Sequence, residues 1–342
     1  MDKAVMNPLK KFWRESSAVF LPDSRNYTGG PATFVQNLAA EFQRQGIAFT
    51  SRPEASNLRS ALIPVEYDLD WIREWKRRGV RIVQRLDGVY YPSKHGEAYR
   101  GLNRNLELIY RELADAVIYQ SRYSYLQCRE VLGLSGAKSE VIILNGADTE
   151  LFHPVARPPA TKEGWIFASS GNFRNIDMLE PMVHAFDRLY GKFPFQLRLF
   201  GDVIKEDLLP YLKRPYIRHV PRISLKELGN ELRGVQAFVY SHLNPPCPNS
   251  VIEAISSGLP VVGFDSGSMS ELLWYQKDLL APVSNDILQL YKDFDSLRLV
   301  EKIQLLLENY DFYLREARRR SRDLTIERTA AAYISVLLGE QV

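Results

Sequence analysis

The residues with the most evident chemistry lie in His242-Leu-Asn-Pro-Pro-Cys-Pro-Asn-Ser-Val-Ile-Glu-Ala-Ile-Ser-Ser-Gly-Leu-Pro-Val-Val262. The pattern predicts a strand ending near Ser241, a proline-rich loop, and a helix capped by Asn249. Val251, Ile252 and Ile255 form its apolar stripe, Gly258 ends it, and Pro260 opens the next strand. The first-turn amides and the helix dipole both favour an anion, so a diphosphate fits at Asn249 and Ser250. Glu253, one turn further on, offers a carboxylate to a ribose diol. A plain capped helix with Glu253 supporting its first turn accounts for the same residues. Upstream, Gly29 and Gly30 open a helical segment and let backbone approach a phosphate closely, although a simple loop-to-helix turn uses glycines in the same way. Ser268-Met-Ser-Glu271 has the form of a capping box, which assigns Glu271 a structural role.

These residues need a scaffold, and the hydrophobic pattern supplies one. Strand-like runs are expected at Ala18–Leu21, Ala61–Pro64, Val80–Arg85, Ala116–Tyr119 and Val141–Leu144. They resume at Trp165–Ser169, Gln196–Phe200, Ile217–Val220, Ala237–Tyr240 and Pro260–Phe264. Helix-period segments lie between them, at Pro31–Arg44, Trp71–Arg78, Ala98–Leu113, Met178–Tyr190 and Leu225–Leu232. Alternation of this kind means parallel sheets covered by helices, an α/β class. The stretch from His153 to Gly164 holds three prolines and reads as an interdomain linker. Beyond Asn285 the pattern is helical.

Composition narrows the function classes. With 44 basic and 41 acidic residues the net charge is +3, and the charges are mixed along the chain, so no nucleic-acid footprint is expected. The dense run from Arg315 to Arg322 reads as a solvated helix face, with anionic lipid or phosphate contact as the alternative. Two cysteines give neither a disulfide framework nor a metal cluster, so a reducing, cytoplasmic setting is expected. The first fifteen residues hold Lys3, Lys10, Lys11 and Arg14 without a continuous apolar core, and no signal peptide is expected. No run is long enough to span a membrane, which leaves peripheral contact open. Asn26-Tyr-Thr28 forms a glycosylation sequon that matters only in a secreted protein. Asp68-Leu-Asp70 and Asp293-Phe-Asp295 resemble a metal–diphosphate pair, but helix capping explains Asp68 better, and no metal site is expected. The chain has no Gly-x-Ser-x-Gly elbow, no phosphate loop ending in Gly-Lys-Ser/Thr and no Gly-x-Gly-x-x-Gly.

Asn249-Ser-Val-Ile-Glu-Ala-Ile-Ser-Ser-Gly-Leu-Pro-Val-Val-Gly-Phe-Asp-Ser-Gly-Ser-Met-Ser-Glu271 resembles the signature of the family-4 retaining glycosyltransferases of the GT-B fold. Gly29-Gly30 is similar to that family's N-terminal glycine loop. Leu113-Ala-Asp-Ala-Val-Ile-Tyr-Gln-Ser121 and Val141-Ile-Ile-Leu-Asn-Gly-Ala-Asp-Thr-Glu-Leu-Phe-His-Pro154 resemble its central passages, and all fall in the family's order. The resemblance implies two Rossmann-like domains with parallel sheets facing across a cleft. It implies an acceptor domain over residues 1–155, a nucleotide-sugar domain over 156–310, and helices over 311–342 packing back on the first. Glu253 matches the second carboxylate of the family's Glu-x7-Glu motif, which holds the donor ribose. Pro245 stands where the first is usual, as in a subset with a Pro-Cys-Pro-Asn loop. Arg174 matches a lysine that neutralises the diphosphate, while a serine stands near the family's usual arginine. Asp87, in Arg85-Leu-Asp-Gly88 at a strand end, matches a position near the reacting centre. There it can orient an acceptor hydroxyl or take its proton, or simply build an Asp-Gly turn.

The resemblance implies transfer of a sugar from a nucleotide diphosphate sugar to an acceptor hydroxyl (glycan, lipid-linked or small-molecule). Configuration would be retained, with neither metal nor cofactor. Two other readings use the same fold: a non-catalytic subunit that scaffolds a partner transferase, and a sugar-nucleotide epimerase.

Overall fold

The computed structural model describes residues 18–27, 29–136, 139–156, 164–283 and 295–340. They divide into two compact units, Met1–Asn145 with Ile326–Val342, and Gly146–Thr325. Most of the proline-rich segment, with Asp293 and Thr28, lies outside the described residues. The division falls at Asn145 rather than at residue 155, because the chain leaves its sixth strand at Ile142 and joins the second unit within a few residues.

The first unit carries a wholly parallel sheet in the order β2-β1-β3-β4-β5-β6. Its strands are β1 (Ala18–Phe20), β2 (Phe49–Thr50), β3 (Leu58–Pro64), β4 (Arg81–Leu86), β5 (Ala116–Tyr119) and β6 (Glu140–Ile142). The central strands are buried on both faces, hence their near-continuous apolar runs. Helices α1 (Gly30–Gln45), α2 (Leu69–Arg77) and α3 (Arg122–Leu132) follow β1, β3 and β5. Asp68 caps α2 by accepting from the amides of Asp70 and Trp71, and Ser121 caps α3 through the Ser124 amide. Capping is thus the work of Asp68. The segment expected as one helix over 98–113 is instead three turns in succession, Tyr99–Leu102, Arg104–Leu108 and a wide turn at Ile109–Leu113. Buried Asn103 breaks it, because its amide bonds the carbonyls of Tyr90 and Tyr99.

The second unit repeats the design with the order β12-β11-β10-β7-β8-β9, again all parallel. It contains β7 (Trp165–Ser170), β8 (Phe195–Phe200), β9 (Ile217–Val220), β10 (Ala237–Tyr240), β11 (Val261–Asp265) and β12 (Leu280–Pro282). Helices α4 (Glu180–Leu189), α5 (Leu225–Leu232), α6 (Asn249–Ser256), α7 (Ser296–Glu308) and α8 (Tyr310–Arg320) cover it. Asp295 caps α7 through the Leu297 amide, and Ser224 with Glu227 forms a reciprocal capping box on α5. Helix α8 belongs to this unit, contrary to the expectation that everything from residue 311 returns to the first. Its Tyr313 and Ala317 are buried, and Gln276 donates to the Tyr313 carbonyl at 2.6 Å. Within the basic run, Arg318 donates to the Val155 carbonyl and Arg320 pairs with Asp323, while Arg315, Arg319 and Arg322 are exposed. Only α9 (Ile326–Leu338) belongs to the first unit, where Thr329 bonds the Leu144 carbonyl. None of the described helices is long and apolar enough to cross a membrane.

Each sheet has one point where consecutive connections diverge. In the first unit it lies between β1 and β3, and in the second between β7 and β10. Crevices outside the carboxyl ends of strands at such points are where α/β sheets bind ligands.

Candidate active site

At the β7/β10 divergence, two loops are drawn together. The loop after β7 is laced to the one after β8: Phe173 donates to the Asp202 carbonyl at 2.9 Å, and Ile204 donates back to Phe173 at 2.9 Å. Phe173 is fully buried, an anchor worth about 2–3 kcal/mol of apolar burial. The next residue, Arg174, is therefore held at the surface with its side chain exposed. Its guanidinium has no hydrogen bond or ion pair among the described residues. The loop after β10 joins this one through the Ser241 hydroxyl, which donates to the Met178 carbonyl at 2.7 Å.

The second loop leads from Ser241 to α6 and is fixed from behind. Asn244 takes a left-handed conformation, φ 51°; its amide donates to Ser266 Oγ at 2.8 Å, and that hydroxyl returns a bond to Asn244 Oδ1 at 3.0 Å. Pro245 is buried, and its carbonyl accepts from the Ser268 amide at 2.9 Å. A Cβ on Gly267 would lie 2.4 Å from that same carbonyl oxygen, so only glycine fits. The proline that stands in place of the usual carboxylate is thus a packing element here. Ser268 spends its amide on Pro245 and makes no side-chain cap bond. The capping box expected at Ser268–Glu271 is not formed, since Ser268 lies near helical rather than extended dihedrals and the helix it opens has four residues.

Helix α6 starts one residue earlier than expected. Pro248, extended at φ −72° and ψ 116°, is the N-cap, and its carbonyl accepts from the amides of Val251 and Ile252. Asn249 is the first helical residue instead of the cap, because proline's fixed dihedral already turns the chain into the helix. Pro248 makes no side-chain cap bond at this end, where the first-turn amides lack partners within the helix. Asn249 and Ser250 are half-buried in this first turn. Glu253 follows, 5% exposed. Its carboxyl has neither a hydrogen bond nor an ion pair among the described residues, and burial pushes its pKa up to about 7. Such an acid awaits donors.

The first unit places its candidates differently. Asp87 leaves the end of β4 and forms an ion pair with Arg85, whose side chain is 1% exposed. Arg85 also donates to Tyr333 Oη at 3.1 Å, Gln120 Oε1 at 2.8 Å and Asn145 Oδ1 at 3.1 Å, and lies 3.8 Å over the Phe34 ring. Asp87 is the carboxylate that pairs with Arg85 in this cluster. Its sequence gave no sign that Arg85, in an apolar strand, would be its counter-charge. Gly29 is the N-cap of α1 at φ 66° and ψ −135°, a region reserved for glycine. At Gly30 a Cβ would meet nothing within 4 Å. Gly29→Ala is therefore expected to cost about 1–3 kcal/mol in thermal unfolding, and Gly30→Ala to melt within about 0.5 kcal/mol of the parent. A loss of activity in the folded Gly30 variant would then report a ligand passing this backbone. A melt that falls equally in both variants would refute the assignment.

Residues 165–309 match the family model for glycosyl transferases group 1. None of the curated proteins compared matches the chain in sequence. Among solved structures, Anabaena HepE in complex with UDP and glucose is 13% identical, with 96% of this chain and 100% of that one covered at a TM-score of 0.69. Sucrose-phosphate synthase from Thermosynechococcus elongatus is 18% identical, with coverages of 90% and 77% and a TM-score of 0.64. The pneumococcal O-GlcNAc transferase GtfA in complex with UDP and GlcNAc is 13% identical, with a TM-score of 0.62. It matches 82% of this chain, which spans 57% of that longer one. The two parallel sheets are those of the GT-B glycosyltransferase fold, and the match to the group 1 family model lies within the second unit. The enzyme class that goes with them is glycosyl transfer.

Proposed function

We propose that this GT-B glycosyltransferase moves a sugar from a nucleotide diphosphate sugar to an acceptor hydroxyl, with retention of configuration and without a metal ion. The observation that carries the reading is Glu253, a buried carboxyl with no hydrogen bond or ion pair among the described residues, one turn into a helix that starts at the β7/β10 divergence with Pro248 as its N-cap. A nucleoside diphosphate satisfies every open valence there. The ribose diol donates to Glu253, and the diphosphate takes the amides at the start of α6. Arg174 reaches the same anion bidentately. As the glycosidic C–O bond lengthens towards an oxocarbenium-like state, charge gathers on the leaving diphosphate. The helix pole and Arg174 neutralise it as it forms, and this takes the place of the metal ion. Retention follows from the resemblance to the family-4 enzymes. The complexes of HepE with UDP-glucose and of GtfA with UDP and GlcNAc support a nucleotide sugar as donor.

The test is binding of UDP, GDP and ADP to the whole chain by calorimetry. Glu253→Ala removes two bonds to a charged acceptor and is expected to weaken the preferred nucleotide by about 2–3 kcal/mol, roughly 30- to 150-fold. The pH dependence has a definite sign. Empty Glu253 has its pKa raised from 4.5 to about 7 by burial, whereas a diol donates best to the ionised form. Affinity is therefore expected to rise with pH up to about 7, and binding at lower pH to release a proton. Without ligand the sign reverses. The folded state holds the proton more tightly than the unfolded one, so stability falls as pH rises from 4.5 to about 7. Glu253→Gln should abolish both trends. Absence of binding by any of the three diphosphates overturns the reading.

A further inference from the structure

We infer that the first unit carries a carbohydrate-binding cleft, built of tyrosine rings and an exposed carboxylate, that takes neutral or amino sugars and rejects acidic ones. That the bound sugar is the acceptor rests on the proposed transfer activity; the binding itself does not.

The cleft has a volume of about 860 Å³ and lies at the β1/β3 divergence. Three successive strand ends line it. The loop after β1 gives Asn26 and Tyr27, the loop after β3 gives Glu66 and Tyr67, and the loop after β4 gives Tyr90. Flat phenol rings at a cleft wall pack against the C–H face of a sugar ring, while their hydroxyls and nearby carboxylates take its O–H groups. Tyrosine does this at low entropic cost, having few rotatable bonds.

The walls are fixed in advance. Val65 turns the chain out of β3 at φ 67°, a strained conformation for a β-branched residue. The surroundings hold it there: its amide donates to the Arg85 carbonyl at 2.7 Å, and buried Gln84 donates to its carbonyl at 2.9 Å. Tyr27 donates its hydroxyl to the Glu66 carbonyl at 3.3 Å. Tyr67 stacks on buried Trp75 with 5.7 Å between ring centroids and an 18° tilt. The backbone of Tyr90 is clamped on both sides by buried Asn103, at 3.1 Å and 2.8 Å, yet the residue is 42% exposed. An aromatic residue that the fold clamps, sets edge-on to the His95 ring and still leaves partly exposed is a platform for a ligand.

Charge sets the class of sugar. Three carboxylates, Glu66, Asp68 and Asp70, and one guanidinium, Arg73, line the cleft. Asp68 is committed to capping α2, and Asp70 pairs with Arg73. Glu66 is exposed and has no side-chain partner among the described residues. It is the acceptor a sugar hydroxyl or ammonium group finds, and it repels a uronate.

The experiment is saturation-transfer NMR on the whole chain with the methyl glycosides of glucose, glucosamine and glucuronic acid. Transfer to the first two and none to the third is expected. Tyr90→Ala should weaken glucoside binding at least about tenfold, Glu66→Gln should admit the glucuronide, and Glu253→Ala should leave sugar binding intact. Equal binding of the glucuronide by the parent, no effect of Tyr90→Ala, or no sugar binding by a chain that still binds nucleotide each overturns the inference. Sugar binding in a chain that binds no nucleotide would uphold the cleft while overturning the proposed transfer.

Discussion

Replacing Arg174 with alanine is expected to cut the turnover of glycosyl transfer by about 10²–10³-fold while leaving the melting curve almost unchanged. The size follows from removing one preorganised donor from a developing oxyanion, which costs about 3–4 kcal/mol in other enzymes. The absence of a stability effect follows from the structure. Arg174 is exposed and has no side-chain hydrogen bond or ion pair among the described residues, and it is Phe173 beneath it that anchors the loop. A residue that contributes little to folding, on a loop tied through Met178 to the one that leads into α6, is placed to meet an anion. Lysine at this position should recover part of the rate, since it keeps the charge but loses the planar fork. Steady-state assays with the preferred nucleotide sugar and a matched thermal melt decide the point. Unchanged turnover would remove Arg174 from leaving-group stabilisation. A chain that binds nucleotide but never transfers, with or without Arg174, would be a scaffold subunit instead.

The second large effect is on stability. Asp87→Ala should cost about 3 kcal/mol, seen as an early unfolding transition of the first unit in urea. Arg85 would then keep its neutral partners Tyr333, Gln120 and Asn145 but lose the carboxylate it pairs with. An uncompensated buried cation is one of the few single lesions of that size. Because Tyr333 belongs to α9, the loss should also raise hydrogen exchange in that helix. Asp87→Asn, which keeps the shape, should cost less. If Asp87 instead acts on the acceptor hydroxyl, Asp87→Asn will abolish transfer with its melt intact, so the ratio of the two losses separates a positioning role from a proton-accepting one.

Much of this was readable from the residues. Ten strands were legible, the central ones because parallel strands buried on both faces must be apolar without interruption. β2 and β12 were not, being two and three residues long at the sheet edges. Glu253 was legible as a carboxylate one turn into a helix, since helix spacing is local. The helix cap was misread by one residue, because asparagine is the better capping side chain while the loop geometry gave the cap to Pro248. The tyrosine cleft left no signal at all. Tyr27, Glu66, Tyr67 and Tyr90 come from three separate loops, and only the strand order β1-β3-β4 makes them neighbours.

By itself, then, the sequence determined which segments are strands and helices, and which side chains stand at strand ends and helix starts. These follow from periodicity and from capping chemistry within a few residues. The tertiary structure alone decided what those side chains are for. It committed Asp87 to Arg85 and gave Glu253 and Arg174 no side-chain partners among the described residues. The physical reason is that a charge acquires its role from burial and from partners distant in the chain. Arg85 and Tyr333, 248 residues apart and joined by a 3.1 Å hydrogen bond, meet only because the last helix returns to the first domain.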